Sequence, residues 1–352
     1  MRSLEQKIAA RAGRSHAVLA GTGTAALVAA LGAIGVGPGD EVVVPTIVCP
    51  SVPWAVRLAG ASPAFCDAGG GRYNMTARSV ARAVSSRTRA VIAVHLFGSP
   101  CDIAAIAQLA RAGGLALIED FAQALGGEAE NAPLGSFGEV AVTSFGRDKI
   151  LDVGGGGAIV ASSLDMARRC ASAVKELSSG GALAAALASS AYRLISGAAK
   201  LLDGDSLRCQ GGVARQAWRL TAMLLHPPTG PMRARIEEGL ERLDEVRRAR
   251  RERAGFVREA LAGARLGHPE DSGAALTMYT VTLCRPAAHR LIEVRRPGQL
   301  RNLYPPAHQL FGAAAELPEA RALGGRMVNI PLAPEIGWDE LRTMCARLKA
   351  AA

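Results

Sequence analysis

Between residues 16 and 161, short runs of β-branched and aliphatic residues alternate with stretches of helical periodicity. HAVLA (16–20), EVVVP (41–45), PAFC (63–66), RAVIAVH (89–95), LALIE (115–119), EVAVTSF (139–145) and GAIVA (157–161) predict strands. Helices are expected between most of them, near 23–35, 51–59, 76–84 and 102–113. The strands are apolar without polar alternation, the pattern of strands covered on both faces. Strand–helix alternation of this kind implies an α/β fold, a mostly parallel sheet with helices on either side.

The rhythm changes after 161. Residues 163–225 are rich in Ala and Leu and read as helical, and His226-Pro227-Pro228-Thr229-Gly230-Pro231 breaks them. We place the domain boundary there, giving a large α/β/α domain over 1–229 and a smaller α+β domain over 230–352. A long charged helix at 232–260, a strand at 276–284 (LTMYTVTLC) and a final helix at 338–351 are expected in the second. The apolar stretch 181–202 contains Arg193 with several serines and glycines, which favours a buried or interfacial helix over a membrane span.

Charge narrows the choice of ligands. The net charge is +10, and the chain has only five lysines: Lys7, Lys149, Lys175, Lys200 and Lys349. An arginine surplus favours anionic ligands. Residues 233–254 interleave acids and arginines at helical spacing and read as a solvated helix face. No basic–aromatic pattern suits single-stranded bases, so a nucleic-acid partner is not expected. Seven widely spaced cysteines with no CxxC pair fit reduced thiols in a cytoplasmic protein and argue against a zinc site. The opening MRSLEQKIAARAGRS reads as a polar helix and not a signal peptide.

Three segments carry chemistry. Gly21-Thr22-Gly23-Thr24-Ala25-Ala26 follows a strand and opens a helix, where backbone N–H groups and the positive dipole end can seat a phosphate. It also fits the GxGxxG/A dinucleotide fingerprint, but that motif needs an acid at the carboxyl end of the second strand. Here EVVVP ends at Pro45, and Asp40 and Glu41 sit at the opposite end. In Ile118-Glu119-Asp120-Phe121-Ala122-Gln123, Asp120 directly follows a buried strand. Its carboxylate can cap a helix or hold a pyridinium nitrogen protonated. Lys149 lies beyond the carboxyl end of another strand, between Ser144 and the glycines 154–157. A lysine becomes a nucleophile when its pKa falls from about 10.4 toward neutrality, and a bound cofactor with Arg147 nearby would favour that. Ser144 can offer a hydroxyl to a phosphate, and the glycine run lets backbone pass close to a ligand.

In this order the three segments resemble the DegT/StrS type of sugar aminotransferase, a family with the aspartate-aminotransferase-like fold of pyridoxal 5'-phosphate (PLP) enzymes, the PLP-transferase type I fold. The matching segments are GTAAL (23–27), GVGPGDEVVVP (35–45), AGASPAFCD (59–67), AVIAVHLFG (90–98), IEDFAQALGG (118–127), SFGRDK (144–149), YPPAH (304–308), LPEARAL (317–323) and NIPLAPEI (329–336). The resemblance covers about 16–161 and again about 230 to the end.

Carried over residue by residue, the resemblance makes Lys149 the catalytic Schiff-base lysine and Asp120 the partner of the pyridine nitrogen. Gln123 reaches the ring hydroxyl and Ala122 packs under the ring. Gly23, Thr24, the Ala25 backbone and Ser144 hold the phosphate. Tyr304 and His308 are expected near the substrate mouth, with Arg147 and His95 as further candidates; a satisfied buried histidine is the alternative for His95. There are departures. The family stacks an aromatic residue over the ring, and the spacing from Pro45 to Gly60 puts Cys49 at that position, with Trp54 five residues later. The family's glutamate in the glycine run is Gly155 here, and its asparagine that reaches the partner subunit's phosphate has no match near Leu225–His226. The implied activity is PLP-dependent transfer of an amino group, from glutamate, to a nucleotide-linked keto-sugar or a cyclitol ketone, in a cytoplasmic homodimer that is not membrane-associated. The alternatives are another PLP reaction on the same scaffold and a non-catalytic PLP-binding regulatory or scaffold protein. Dehydratase relatives lack the lysine, so Lys149 argues against dehydration.

Overall fold

The computed structural model describes residues 2–70, 72–178, 229–267, 274–284, 300, 306–311 and 316–352. The first part runs α1 (Leu4–Arg11), β1 (His16–Ala20), α2 (Gly23–Ala33), β2 (Glu41–Pro45), α3 (Ser51–Leu58), β3 (Ser62–Cys66), α4 (Ala77–Ala83), β4 (Thr88–Val94), α5 (Ile103–Ala112) and β5 (Ala116–Asp120). A short hairpin, β6 (Glu128–Ala129) and β7 (Ala132–Pro133), precedes β8 (Val140–Ser144), β9 (Gly157–Ala161) and α6 (Leu164–Ser178). The C-terminal part contains α7 (Gly230–Glu241), α8 (Leu243–Ala260), β10 (Leu266–Gly267), β11 (Met278–Leu283), α9 (Ala307–Leu310), α10 (Pro318–Gly324), β12 (Met327–Pro331) and α11 (Trp338–Ala351).

All seven strands expected before residue 162 form one sheet, in the order β1-β9-β8-β5-β4-β2-β3. β9 alone is antiparallel to its neighbours, β1 and β8. The carboxyl ends of β1, β8, β5, β4, β2 and β3 therefore share one edge. Side chains alternate between the faces. Val42, Val44, Ile92, Ile118, Val142 and Ile159 pack with α2, α3 and α6. Val43, Val91, Leu117, Ala141 and Val160 pack with α1, α5 and α7. Covering both faces explains why these strands lack polar alternation. The second sheet, β10-β11-β12, is antiparallel and shares a small core with α8 and α11.

Three expectations change in the second half. The charged helix at 232–260 is two helices, α7 and α8, separated at Arg242, whose amide bonds Gly239 O three residues back at 3.2 Å. The break expected near 229 is where α7 starts, but Ile236, Leu240 and Leu243 bury into the large core beside Leu4 and Ile8. The small core draws on α8 only from Ala254 onward. Finally, Arg250 and Arg253 are buried, at 6% and 7% exposure, rather than on a solvated helix face. Of the helical reading at 163–225, α6 is seen; the remainder, with Leu225 and His226, lies outside the described residues.

The two parts meet at the loop after β4. Phe97 and Gly98 both take positive φ, +58° and +87°. The turn they make presents their carbonyls to the approach of β11: Ala275 N–H donates to Gly98 O at 3.0 Å and Thr277 N–H to Phe97 O at 2.9 Å. A Cβ on Gly98 would fall on the Ala275 carbonyl. Gly98→Ala should therefore combine left-handed strain with overpacking, a loss of about 2–4 kcal/mol. Thermal melts of the variant check this; a melting temperature equal to the wild type's would show that the junction is not closed as described.

Candidate active site

The strands end in a row. Val94 of β4 is level with Asp120 of β5, and Asp120 with Val142 of β8. The loops that leave this edge hold most of the residues singled out from the sequence: Gly23, Thr24 and Ala25 after β1, Cys49 after β2, His95 after β4, Ala122 and Gln123 after β5, and Arg147 and Lys149 after β8. Ligands of open α/β sheets gather at such an edge.

Asp120 is buried, and its Oδ1 accepts the Ala122 N–H at 3.0 Å. Burial raises its pKa above the ordinary 3.8, opposed by the charge of Lys149 and by the Ala122 hydrogen bond. The charge of Lys149 thus acts on Asp120, the other residue that carries the sequence argument. Lys149 is half-buried, in a loop that starts and finishes at the same edge because β8 and β9 are antiparallel. Phe145 N–H bonds Gly156 O and Val153 N–H bonds Phe145 O, both at 3.0 Å. Asp152 accepts the Asp148 and Gly154 amides at 3.1 Å each, and Asp148 sits at φ +62°. Arg147 is exposed.

The α2 N-terminus faces this loop. Thr22 caps the helix, its Oγ1 accepting the Ala25 N–H at 3.0 Å. That amide is therefore engaged within the helix cap, while those of Gly23 and Thr24 lie in the first turn, where no intrahelical acceptor exists. Glycines are required on both sides. A Cβ on Gly23 would lie 2.8 Å from Ser144 Cβ, and one on Gly157 would lie 2.5 Å from the Thr22 carbonyl. Ser144 is thereby held against the start of α2, and its Oγ accepts the Gly146 N–H at 3.3 Å.

Gln123 is buried and its Oε1 accepts the Phe97 N–H at 2.6 Å. His95 points to the other face of the sheet. Its Nε2 donates to Glu119 at 3.0 Å, and its Nδ1 accepts the Cys101 N–H at 3.2 Å. With Nδ1 occupied by an N–H, a second ring proton has no place, so the imidazole holds one proton, on Nε2. His95 N–H also donates to Asp120 O at 3.0 Å. The ring is a satisfied buried histidine.

His308 is buried and touches Thr46, one residue past β2, with Nδ1 2.7 Å from Thr46 Oγ1. Burial lowers its pKa, with Arg321 acting in the same direction. Tyr304 lies outside the described residues. Cys49 is half-buried and its Sγ accepts from Ser51 Oγ at 3.1 Å. Trp54 packs edge-on against Phe311, with centroids 5.1 Å apart. Sequence reasoning left Glu119 without a role. It is fully buried and accepts the Gly135 and Phe137 amides, at 2.5 and 2.9 Å, as well as His95. The signal was available: an acid inside an otherwise apolar strand, one residue out of phase with Asp120. Among the described residues no cluster of three metal-ligating side chains occurs, and no helix is long and apolar enough to cross a membrane.

A doubly covered, mostly parallel sheet thus carries a lysine, a buried aspartate and a capped helix N-terminus at one edge. The chain belongs to the DegT/DnrJ/EryC1/StrS aminotransferase family, whose model matches residues 1–189. It is 41% identical over 169 residues to a UDP-N-acetyl-3-dehydro-alpha-D-glucosamine 3-aminotransferase of Acidithiobacillus ferrooxidans, a match that spans 48% of this chain and 46% of that protein. It is 28% identical over 351 residues to a GDP-perosamine synthase of Vibrio cholerae, spanning 95% of this chain and 86% of that one. Among solved structures, the aminotransferase TlmJ from Streptoalloteichus hindustanus superposes with a TM-score of 0.78 at 27% identity, covering 99% of this chain and 89% of that one.

The raised Asp120 pKa has a consequence for the cofactor-free protein. The folded state binds this proton more tightly than the unfolded chain, so the group's stabilisation is complete below the ordinary value of 3.8 and is lost as pH rises through the raised folded value. Asp120→Asn removes that loss. The cofactor-free variant should melt higher than wild type at neutral pH, by about 2–4 °C, and the gap should close toward pH ~4. Thermal melts across that range check it; an unchanged or lower melting temperature at neutral pH would contradict the buried charge.

Proposed function

We propose that this chain is a PLP-dependent aminotransferase that converts the ketone of a nucleotide-linked sugar to an amine, with glutamate as donor. The observation that carries the reading is the buried Asp120 carboxylate with Lys149 as its cationic neighbour at the edge where Ser144 meets the α2 N-terminus. These residues fit PLP. The Gly23 and Thr24 amides and Ser144 Oγ suit its phosphate, Asp120 its ring nitrogen, and Lys149 Nζ its aldehyde carbon. PLP, when bound, supplies an electron sink for the bond changes at the amine-bearing carbon.

The protein's own contribution is then proton handling and placement. Lys149 Nζ takes a proton from the amine-bearing carbon and returns it as general base and acid. Asp120 holds the ring nitrogen protonated through its buried carboxylate, an interaction strengthened by the absence of water. Gln123, anchored by Phe97 N–H, stands beside Asp120 for the ring hydroxyl. A nucleotide-linked substrate is supported by the arginine surplus and by the UDP- and GDP-linked chemistry in the names of the relatives. A cyclitol ketone is the competing acceptor. The same reading includes a homodimer with C2 symmetry in the cytoplasm.

Turnover tests this. Protein loaded with PLP and given glutamate should aminate UDP-, GDP- or dTDP-linked keto-sugars, seen by mass spectrometry as an amino-sugar nucleotide. Amination of free cyclitol ketones alone would overturn the nucleotide assignment, and no amination of either class would overturn the function. Full activity in a species that sediments as a monomer would remove the dimer from the proposal.

A further inference from the structure

Arg250 lies on α8 among the arginines of the charged helix, yet it is buried. Its Nη1 donates to Thr277 O at 3.0 Å and its Nη2 to Lys149 O at 3.3 Å. Thr277 N–H donates to Phe97 O at 2.9 Å, and Phe97 N–H donates to Gln123 Oε1 at 2.6 Å. Hydrogen bonds therefore run unbroken from Gln123 through the loop after β4, through the residue that precedes β11, to the carbonyl of Lys149. The two ends of this line are the residues assigned above to two neighbouring groups of the cofactor, its ring hydroxyl and its aldehyde carbon. We propose that Arg250 is a positioning residue for Lys149, its forked guanidinium fixing the lysine's backbone to the small domain so that Lys149 is correctly placed only when residues 275–277 are docked. The inference rests on the PLP reading of Lys149 given above.

The chemistry of the side chain supports this. Two carbonyls on different elements need two donors held in one plane, which a guanidinium supplies and an ammonium does not. The placement is costly: burial pushes the Arg250 pKa down to about 10, against Glu335, Asp148 and Asp152, while Arg253 adds to the lowering. Its Nε has no acceptor among the described residues. A buried cation bound to carbonyls, with its acids at a distance, is a poor device for stability alone.

Arg253 provides a matched control. It lies one turn further along α8, is 7% exposed, and donates to Ile336 O at 2.7 Å and Pro334 O at 2.8 Å, with Trp338 4.7 Å below its guanidinium. It also ties α8 to the small domain, but it touches nothing in the Lys149 loop in these contacts.

The experiment compares R250Q and R253Q as PLP-loaded proteins, reading melting temperature, the pH midpoint of the visible absorbance of the lysine-bound cofactor, and kcat and KM. Asp120, which feels the charge of Lys149, and the charged groups around Arg250, namely Glu335, Asp148, Arg253 and Asp152, are all unchanged in R250Q. Both variants should melt lower. Only R250Q should move the midpoint, by about half a unit or more, and lower kcat about tenfold with KM within about threefold, because a misplaced reacting group costs rate rather than binding. R250K, which keeps the charge and loses the fork, should fall between, and it carries the same test if R250Q does not fold. An R250Q (or, in its place, R250K) whose midpoint and kcat match those of R253Q overturns the inference while leaving the PLP reading intact. A wild type with no lysine-linked absorbance overturns both.

Discussion

A carboxylate buried at the end of a central strand is the constraint around which this site is arranged. Asp120 is held by its own chain, through the Ala122 amide at its side chain and the His95 amide at its carbonyl. Neither interaction neutralises it, and an ion left unpaired in such a position costs several kcal/mol. Its neighbour Glu119 shows the contrast. Facing the opposite side of the sheet, Glu119 is supplied with two backbone amides and a histidine N–H. Two adjacent acids thus have different fates because a strand turns successive side chains to opposite faces. Glu119 is sealed into the structure, and Asp120 is kept for a cationic partner.

Lys149 lies near that carboxylate because it follows the carboxyl end of β8, and its charge acts on Asp120 across the edge. Because β9 is antiparallel to β8, the β8–β9 hairpin keeps its whole loop at the edge where Asp120 ends. The hairpin then needs Gly157, since any side chain there would meet the Thr22 carbonyl. The same close approach sets Ser144 against the start of α2. Placement of the lysine loop, of Ser144 and of the helix cap is therefore one geometric solution, and the close approach at Gly98 joins the segment leading into β11 to it.

Much of this was legible in the sequence. The seven strands stand out because both faces are covered, so their apolar runs are continuous, and Asp120, Lys149 and the 21–26 turn all lie just beyond strand ends. The short strand β12 was not read, because NIP is brief and its burial comes from β11 and α11 rather than from its own pattern. Arg250 and Arg253 were hidden for another reason. Among many arginines at helical spacing, nothing local distinguishes those whose guanidinium groups find carbonyls on distant chain segments. The break at Arg242 and the docking of α7 on α1, through pairs such as Lys7–Glu237 at 2.6 Å, likewise depend on tertiary partners that periodicity does not encode.

The central claim is that Lys149, and none of the four other lysines, carries the cofactor opposite Asp120. Borohydride reduction of the PLP-loaded protein followed by peptide mass spectrometry tests it most directly. The account predicts a single pyridoxyl-phosphate adduct on the peptide containing Lys149, absent from Lys149→Ala. An adduct on Lys7, Lys175, Lys200 or Lys349 with the Lys149 peptide unmodified would contradict it.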